Sequence, residues 1–195
     1  MLQLTLSFIR SPATKSFSRS NKVLFSTPAA ELTELSRLEI RSGKIIEIAK
    51  HPEADSLYVE KVDVGEAEPR TIVSGLVQFC SVDMLLNRDV VVLCNLKPRA
   101  LKGITSFGML LCASNTDKSQ VEPLMPPPGS VVGSLMTFAG HKSEPAEPGN
   151  RASKAYDKVA DGLYVDDKGQ ATYMGIPMMA PLGSCTSSHL KGKIS

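Results

Sequence analysis

Residues 89–99 read Asp89-Val90-Val91-Val92-Leu93-Cys94-Asn95-Leu96-Lys97-Pro98-Arg99, and the rest of the chain is interpreted from this run. Asp89 to Leu96 is the most apolar segment of the sequence, β-branched and of strand length, which predicts a central strand. Upstream, Leu38 to Ala49 sets Ile40, Ile45, Ile46 and Ile48 around Gly43, predicting a strand with a bulge or tight bend at the glycine. His51-Pro52-Glu53-Ala54-Asp55 reads as a turn. Leu57 to Val64 reads as a half-buried strand in which Val62 and Val64 alternate against Asp63. Gly65 to Pro69 follows as a hairpin loop, Thr71-Ile72-Val73 as a third strand, and Leu76 to Leu86 as a helical or irregular crossover. Downstream, Met109 to Ala113 supplies a fifth strand.

Five short strands with glycine punctuation and one crossover that is not a hairpin suit a small closed barrel better than a two-sheet sandwich. The expected fold class is mostly β, a five-stranded OB-fold barrel carrying a small α+β appendage. Composition agrees: aromatics are 5% of the 195 residues, there is no Trp, and 13 Pro with 14 Gly cut the apolar segments short. No apolar run approaches the roughly 18 residues of a membrane-spanning helix, so no membrane partner is expected.

Beyond the barrel, Glu122-Pro123-Leu124-Met125-Pro126-Pro127-Pro128-Gly129 reads as an extended spacer and Val131 to Phe138 as a further strand. His141 to Asn150 is polar and proline-bearing, hence expected as a flexible loop. Ser153 is a candidate cap for a helix through Val159, and Leu163 to Met174 resembles a hairpin turned at Asp166-Asp167-Lys168-Gly169. About 45 residues from 151 onward are too few for an independent core, so this tail is expected to pack on the barrel. The organisation expected is 1–33 targeting or disordered segment, 34–138 barrel and 139–195 appendage.

Residues 1–30 carry Arg10, Lys15, Arg19 and Lys22, six Ser, an apolar start and no acid, the composition of an organelle transit peptide. A chloroplast or mitochondrial location follows; if the segment is only a disordered tail, the location expected is cytoplasmic. Residues 31–195 then carry a formal charge of −2, so the overall pI argues for no polyanion partner. A binding case has to rest on a local cluster.

Cys80, Cys94, Cys112 and Cys185 include no pair at zinc-site spacing, and a structural zinc site is not expected; Cys94 and Cys112 lie in apolar runs and read as inert core thiols. His51 beside Glu53 and Asp55 suggests acid–base or metal chemistry less well than it suggests a solvated turn. Neither a Gly-x-Ser-x-Gly nor a Walker-type run is present. No catalytic residue, metal or cofactor is expected.

The local cluster exists. Residues 90–116 contain Lys97, Arg99 and Lys102 and no acidic residue. Because they follow a buried strand directly, these side chains are expected in a rim loop stiffened by Pro98, which suits phosphate contact at small ordering cost. Asn95, Thr105 and Ser106 are candidates for directed hydrogen bonds to sugar or base edges. A solvated loop between strands explains the same residues equally well on physics alone.

Here a resemblance becomes specific. The runs Leu38-Glu39-Ile40-Arg41-Ser42-Gly43-Lys44-Ile45, His51-Pro52-Glu53-Ala54-Asp55-Ser56-Leu57-Tyr58 and Asn95-Leu96-Lys97-Pro98-Arg99 resemble the tRNA-binding domain family. So do Gly108-Met109-Leu110-Leu111-Cys112-Ala113 and Val121-Glu122-Pro123-Leu124. That family includes the C-terminal domains of some methionyl-tRNA synthetases and endothelial monocyte-activating polypeptide II. The resemblance covers residues 36–138, and Thr172-Tyr173 with Gly183-Ser184-Cys185-Thr186 is similar to the region appended in the polypeptide-II-like branch. With the transit-like start, it implies a plant-type organellar member.

The resemblance implies an OB-fold that binds tRNA by shape and backbone, without chemistry of its own, often in trans to an aminoacyl-tRNA synthetase. It further implies an appendage that imitates a second subunit, hence a monomer built as a pseudo-dimer. The binding residues it implies are Asn95, Lys97, Arg99, Lys102, Ser106 and Met109, with Arg41 and Lys44 as weaker candidates. Lys97, Arg99 and Lys102 would pair with phosphates, Asn95 and Ser106 would orient sugar or base, and Met109 would hold the loop from below. Phe107 stands where the family usually has an acidic residue; stacking on an unpaired base and packing in the core both remain open for it. The rival function is a protein-interaction scaffold that docks on a synthetase or another partner with the basic loop solvated.

Overall fold

The structure, a computed structural model, describes residues 30–195. The address expected in the first thirty residues lies, but for Ala30, outside the described residues. A 3₁₀ turn at Leu35–Arg37 leads into β1 (Ile40–His51), β2 (Ala54–Asp63), β3 (Arg70–Ser74) and the single-turn helix α1 (Val82–Leu85). Then come β4 (Asp89–Leu93), β5 (Arg99–Leu101), β6 (Ile104–Ser106) and β7 (Met109–Leu110). Five of these strands form one antiparallel sheet in the order β3-β2-β1-β4-β7. The sheet curls until the Phe107 amide donates to the Thr71 carbonyl of the opposite edge at 2.9 Å. This is the strand order and closure of an OB-fold barrel.

The position of β4 accounts for its sequence. Val90, Val92 and Cys94 face the barrel interior with Ile45, Val62 and Ile72, whereas Val91 and Leu93 point outward into a second core. All four residues from Val90 to Leu93 are 0% exposed. A strand buried on both faces cannot alternate with polar residues, which explains the unbroken apolar run. Each such side chain contributes about 1.5–3 kcal/mol of burial.

Gly43 serves a different purpose from the one expected. The register of β1 against β2 slips between Ile45 and Glu47, so the irregularity lies at Ile46. Gly43 is where β1 is squeezed by both neighbours: a Cβ there would lie 3.0 Å from the Asp63 carbonyl oxygen and 3.0 Å from a Val92 methyl.

The second core is covered by β8 (Cys112–Ser114), β9 (Val121–Pro123), β10 (Thr137–Phe138), the helix α2 (Asn150–Val159), β11 (Leu163–Val165) and β12 (Ala171–Tyr173). The strands β13 (Ile176–Ala180), β14 (Gly183–Ser184) and β15 (Gly192–Ile194) complete it. Its sheet runs β10-β13-β12-β11-β15-β8-β9, with β14 on β13. The predicted fifth strand therefore changes sheets at Leu111, serving the barrel as β7 and the appendage as β8. Alternation continues across the switch: Leu110 and Cys112 face the barrel interior, Leu111 and Ala113 the second core.

The hairpin expected around Asp166–Gly169 is β11 and β12. Three other expectations change. The strand predicted over 131–138 contracts to Thr137–Phe138. The segment expected as a flexible loop is a hydrogen-bonded strap: amides of Lys142, Glu144, Ala146 and Gly149 donate to carbonyls of Glu31, Ser36, Arg37 and Asn95. The helix predicted from Ser153 begins three residues earlier, and the Ser153 hydroxyl bonds back to the Gly149 carbonyl at 3.2 Å. The fold also starts before residue 34, since Glu31 exchanges backbone hydrogen bonds with Gly140 and Lys142, and Thr33 meets His141 at 2.8 Å.

Candidate nucleic-acid interface

The segment expected as a rim loop is a β-hairpin. β5 and β6 pair Arg99 with Ser106, Ala100 with Thr105 and Leu101 with Ile104. Lys102 and Gly103 form the two-residue turn with φ of 47° and 87°, the type I′ pattern that matches strand twist. Lys97, Arg99 and Lys102 are exposed and carry no ion pair among the described residues. Pro98 lies between the first two, so the arm presents three uncompensated cations on a chain that is otherwise slightly acidic.

The hairpin is braced at both ends. At its turn, buried His51 donates from Nε2 to the Leu101 carbonyl at 3.2 Å while its Nδ1 accepts the Glu53 amide at 3.0 Å, which fixes the tautomer. The solvated turn expected around His51 is thus corrected: the imidazole ties the β1–β2 tip to the arm. At its root, Arg70 donates to the carbonyls of Cys94 and Phe107 and is ion-paired with Glu66 at 2.6 Å. Hydrogen bonding by Arg70 holds the Glu66 carboxyl below its ordinary range.

Two expected ligand contacts are reassigned. Asn95 is 0% exposed, accepts the Glu39 amide and donates to the carbonyls of Arg37 and Ala146, so its amide is fully used in joining β1, β4 and the strap. Ser106 is buried, accepts the Val73 amide and donates to the Gly108 carbonyl, which closes the barrel seam. Neither has a polar atom left for RNA.

The weaker candidates fare unequally. Arg41 is ion-paired with Glu39. Lys44 lies in register between Asp63 and Asp89. Met109 packs against the second core beneath the arm, and Phe107 is 47% exposed, which decides between its two readings in favour of the surface.

Two grooves flank the root of the arm. One, about 410 Å³, is bordered by Arg70, Pro98, Phe107 and Pro148, with Cys94 at its base. Burial pushes the Cys94 thiol up to about 12, so it stays protonated and unreactive. The other, about 340 Å³, lies between the arm and α2 and is lined by Leu96, Lys97, Arg99, Met109, Tyr156 and Asp157. The Lys97 amide donates to the Ser153 hydroxyl at 3.0 Å, which docks α2 beside the arm.

The helix also carries two cations outside the predicted cluster. Arg151 and Lys154 are exposed, three residues apart on one face of α2, and without ion pairs among the described residues. The signal available in the sequence is their helical spacing; Arg151 lies toward Glu34, which Lys158 of the same helix pairs. Among the described residues no cluster of three or more His, Cys, Asp or Glu is placed to hold a metal. No helix among them is long and apolar enough to cross a membrane.

Residues 40–135 match the family model described as "Putative tRNA binding domain". Among solved structures, the C-terminal domain of Plasmodium vivax p43 is similar at 33% identity with a TM-score of 0.78, covering 84% of this chain and 100% of that one. The chain belongs to the tRNA-binding domain family. It is also 46% identical over 158 residues to "Aminoacyl tRNA synthase complex-interacting multifunctional protein 1" of Cricetulus griseus, 80% of this chain and 44% of that protein. With the "Probable methionine--tRNA ligase" of Oryza sativa subsp. japonica it shares 46% identity over 151 residues, 77% of this chain and 19% of that protein. The chain thus spans less than half the length of these curated relatives. Their alignments are longer than the family block, so they take in part of the appendage along with the barrel.

Proposed function

We propose that the chain is a non-catalytic tRNA-binding auxiliary factor that grips the ribose-phosphate backbone with the β5–β6 arm. The observation that carries this reading is the set of three exposed, unpaired cations, Lys97, Arg99 and Lys102, on a doubly braced hairpin within a family whose description is tRNA binding. A pre-ordered arm places charge without a large ordering cost on binding. Exposed Phe107 offers a stacking face beside the cations.

Relatives named for a tRNA ligase and for a synthetase complex support an aminoacyl-tRNA synthetase as the protein partner. The barrel's outward apolar face is covered by the chain's own appendage, which supports a monomer. The composition of residues 1–30 supports import into a chloroplast or mitochondrion.

Titration of bulk tRNA at two salt concentrations tests the central reading. The wild type should bind more weakly at higher salt with a log–log slope of about −0.7 to −0.9 per phosphate contact, and the Lys97→Ala, Arg99→Ala, Lys102→Ala triple variant should flatten that slope by about two units. Unchanged affinity and slope in a folded triple variant would remove the arm as the site. It would favour the protein-docking function instead.

A further inference from the structure

Resting on the RNA-binding reading above, we infer that the groove between the arm and α2 seats one unpaired nucleobase and favours bases that present an exocyclic amine to Asp157. Three observations converge on this groove. Its volume, about 340 Å³, is at the small end of ligand clefts, which span roughly 300–1,000 Å³. Its wall is apolar, from buried Val73 and half-buried Leu96, Met109 and Tyr156, a lining suited to a flat ring and not to a phosphate. Its polar groups have opposite signs: Lys97 and Arg99 come from the arm and Asp157 from α2, yet no ion pair joins them among the described residues.

An unpaired carboxylate in a cationic RNA site is informative because it repels the backbone that the neighbouring cations attract. It becomes favourable toward hydrogen-bond donors, which nucleobase edges and the ribose 2′-hydroxyl supply and phosphate does not; of these, the base edge is the one that reaches an apolar groove. A carboxylate accepts from the cytosine amine, whereas uracil presents a carbonyl oxygen at the same ring position. The cations then hold the flanking phosphates while the ring lies against Leu96, Met109 and Tyr156. A base already paired in a duplex cannot enter, so the groove reads single-stranded or flipped nucleotides.

Cytosine against uracil reads that edge, since the rings have nearly the same size and differ at position 4, amine against carbonyl, and at N3, acceptor against N–H donor. Uracil's N3–H lies between two carbonyl oxygens that repel the carboxylate, so cytosine remains the favoured base. Fluorescence anisotropy with short labelled oligo(C) and oligo(U) should give the full chain a preference for oligo(C) of about tenfold, the scale of one hydrogen bond to a charged group. Asp157→Asn, an exposed position, keeps the shape but offers both a donor and an acceptor. It should reduce the preference to within about twofold, chiefly by tightening oligo(U). No preference in the wild type, or an equal gain for both oligonucleotides in Asp157→Asn, would overturn the inference and leave Asp157 a merely repulsive charge. That failure is distinct from failure of the parent reading: in the former the triple arm variant still loses tRNA binding, in the latter the triple variant keeps the wild-type affinity and salt slope or the wild type binds no tRNA.

Discussion

Asn95 and Lys97 stand two residues apart and do opposite work. Asn95 spends its whole amide on backbone groups of three segments, whereas Lys97 spends only its backbone amide on the fold and leaves its side chain free. Asn95→Ala should therefore cost about 1–3 kcal/mol of stability through the donors and acceptors it strands, measured by chemical denaturation. Lys97→Ala should leave the denaturation midpoint nearly unchanged and weaken tRNA binding. A second residue-scale consequence concerns Glu60, which is 0% exposed inside the barrel, with Oε1 bonded by the Ser74 hydroxyl at 2.7 Å and Oε2 without a partner. Burial pushes its carboxyl up from 4.5 to about 7 against the lowering effect of Ser74. With the folded-state pKa above the unfolded one, its stabilising effect is complete below pH 4.5 and is lost as pH rises toward 7. The loss is about 3 kcal/mol. Glu60→Gln should raise the melting temperature at pH 8 and change it little at pH 4.5; thermal melts across that range check the sign.

At the scale of elements, the arm is held in place from outside itself. His51 bonds Leu101 from a turn fifty residues upstream, and Arg70 bonds the carbonyls on either side of the arm's root. His51→Ala leaves the Leu101 carbonyl and the Glu53 amide without their partner. It should lower tRNA affinity severalfold although His51 itself touches no ligand, and amide exchange over residues 99–106 should speed up in step. Unaltered exchange with lost affinity would show that the imidazole acts in some other way. The same elements explain what the sequence made legible. The apolar run of β4 and the acid-free stretch 90–116 are local signals, so the barrel and the charge cluster follow from them directly. The roles of Asn95, Ser106 and His51 do not, because a polar side chain bonded to distant backbone has the same local pattern as one waiting for a ligand. Ser153 misled for a related reason: a hydroxyl suited to capping a helix was used one turn inside it, to hold Lys97.

At the scale of the whole molecule, the two sheets share a strand segment, so the described residues should unfold as one cooperative body. Residues Leu110 to Ala113 alternate between the barrel interior and the second core, and β15 closes the appendage onto β8 by pairing Lys193 with Ser114 and Ile194 with Ala113. That closure depends on Gly192, where φ is 154° and a Cβ would overlap the Ser114 carbonyl oxygen. No rotamer relieves a clash with backbone, so Gly192→Ala must push β15 away from β8 and uncover Ile194, Val165 and Leu163 together. The expected cost is about 3 kcal/mol or more, and it should appear as a downward shift of one transition and not as a separate melting of the appendage. Calorimetry decides this. A single peak whose calorimetric and van't Hoff enthalpies agree in both proteins supports one body. A new low-temperature peak in Gly192→Ala would mean that the barrel stands alone once its cover is loosened, and the arm's attachment to α2 through Ser153 would then be dispensable for the site.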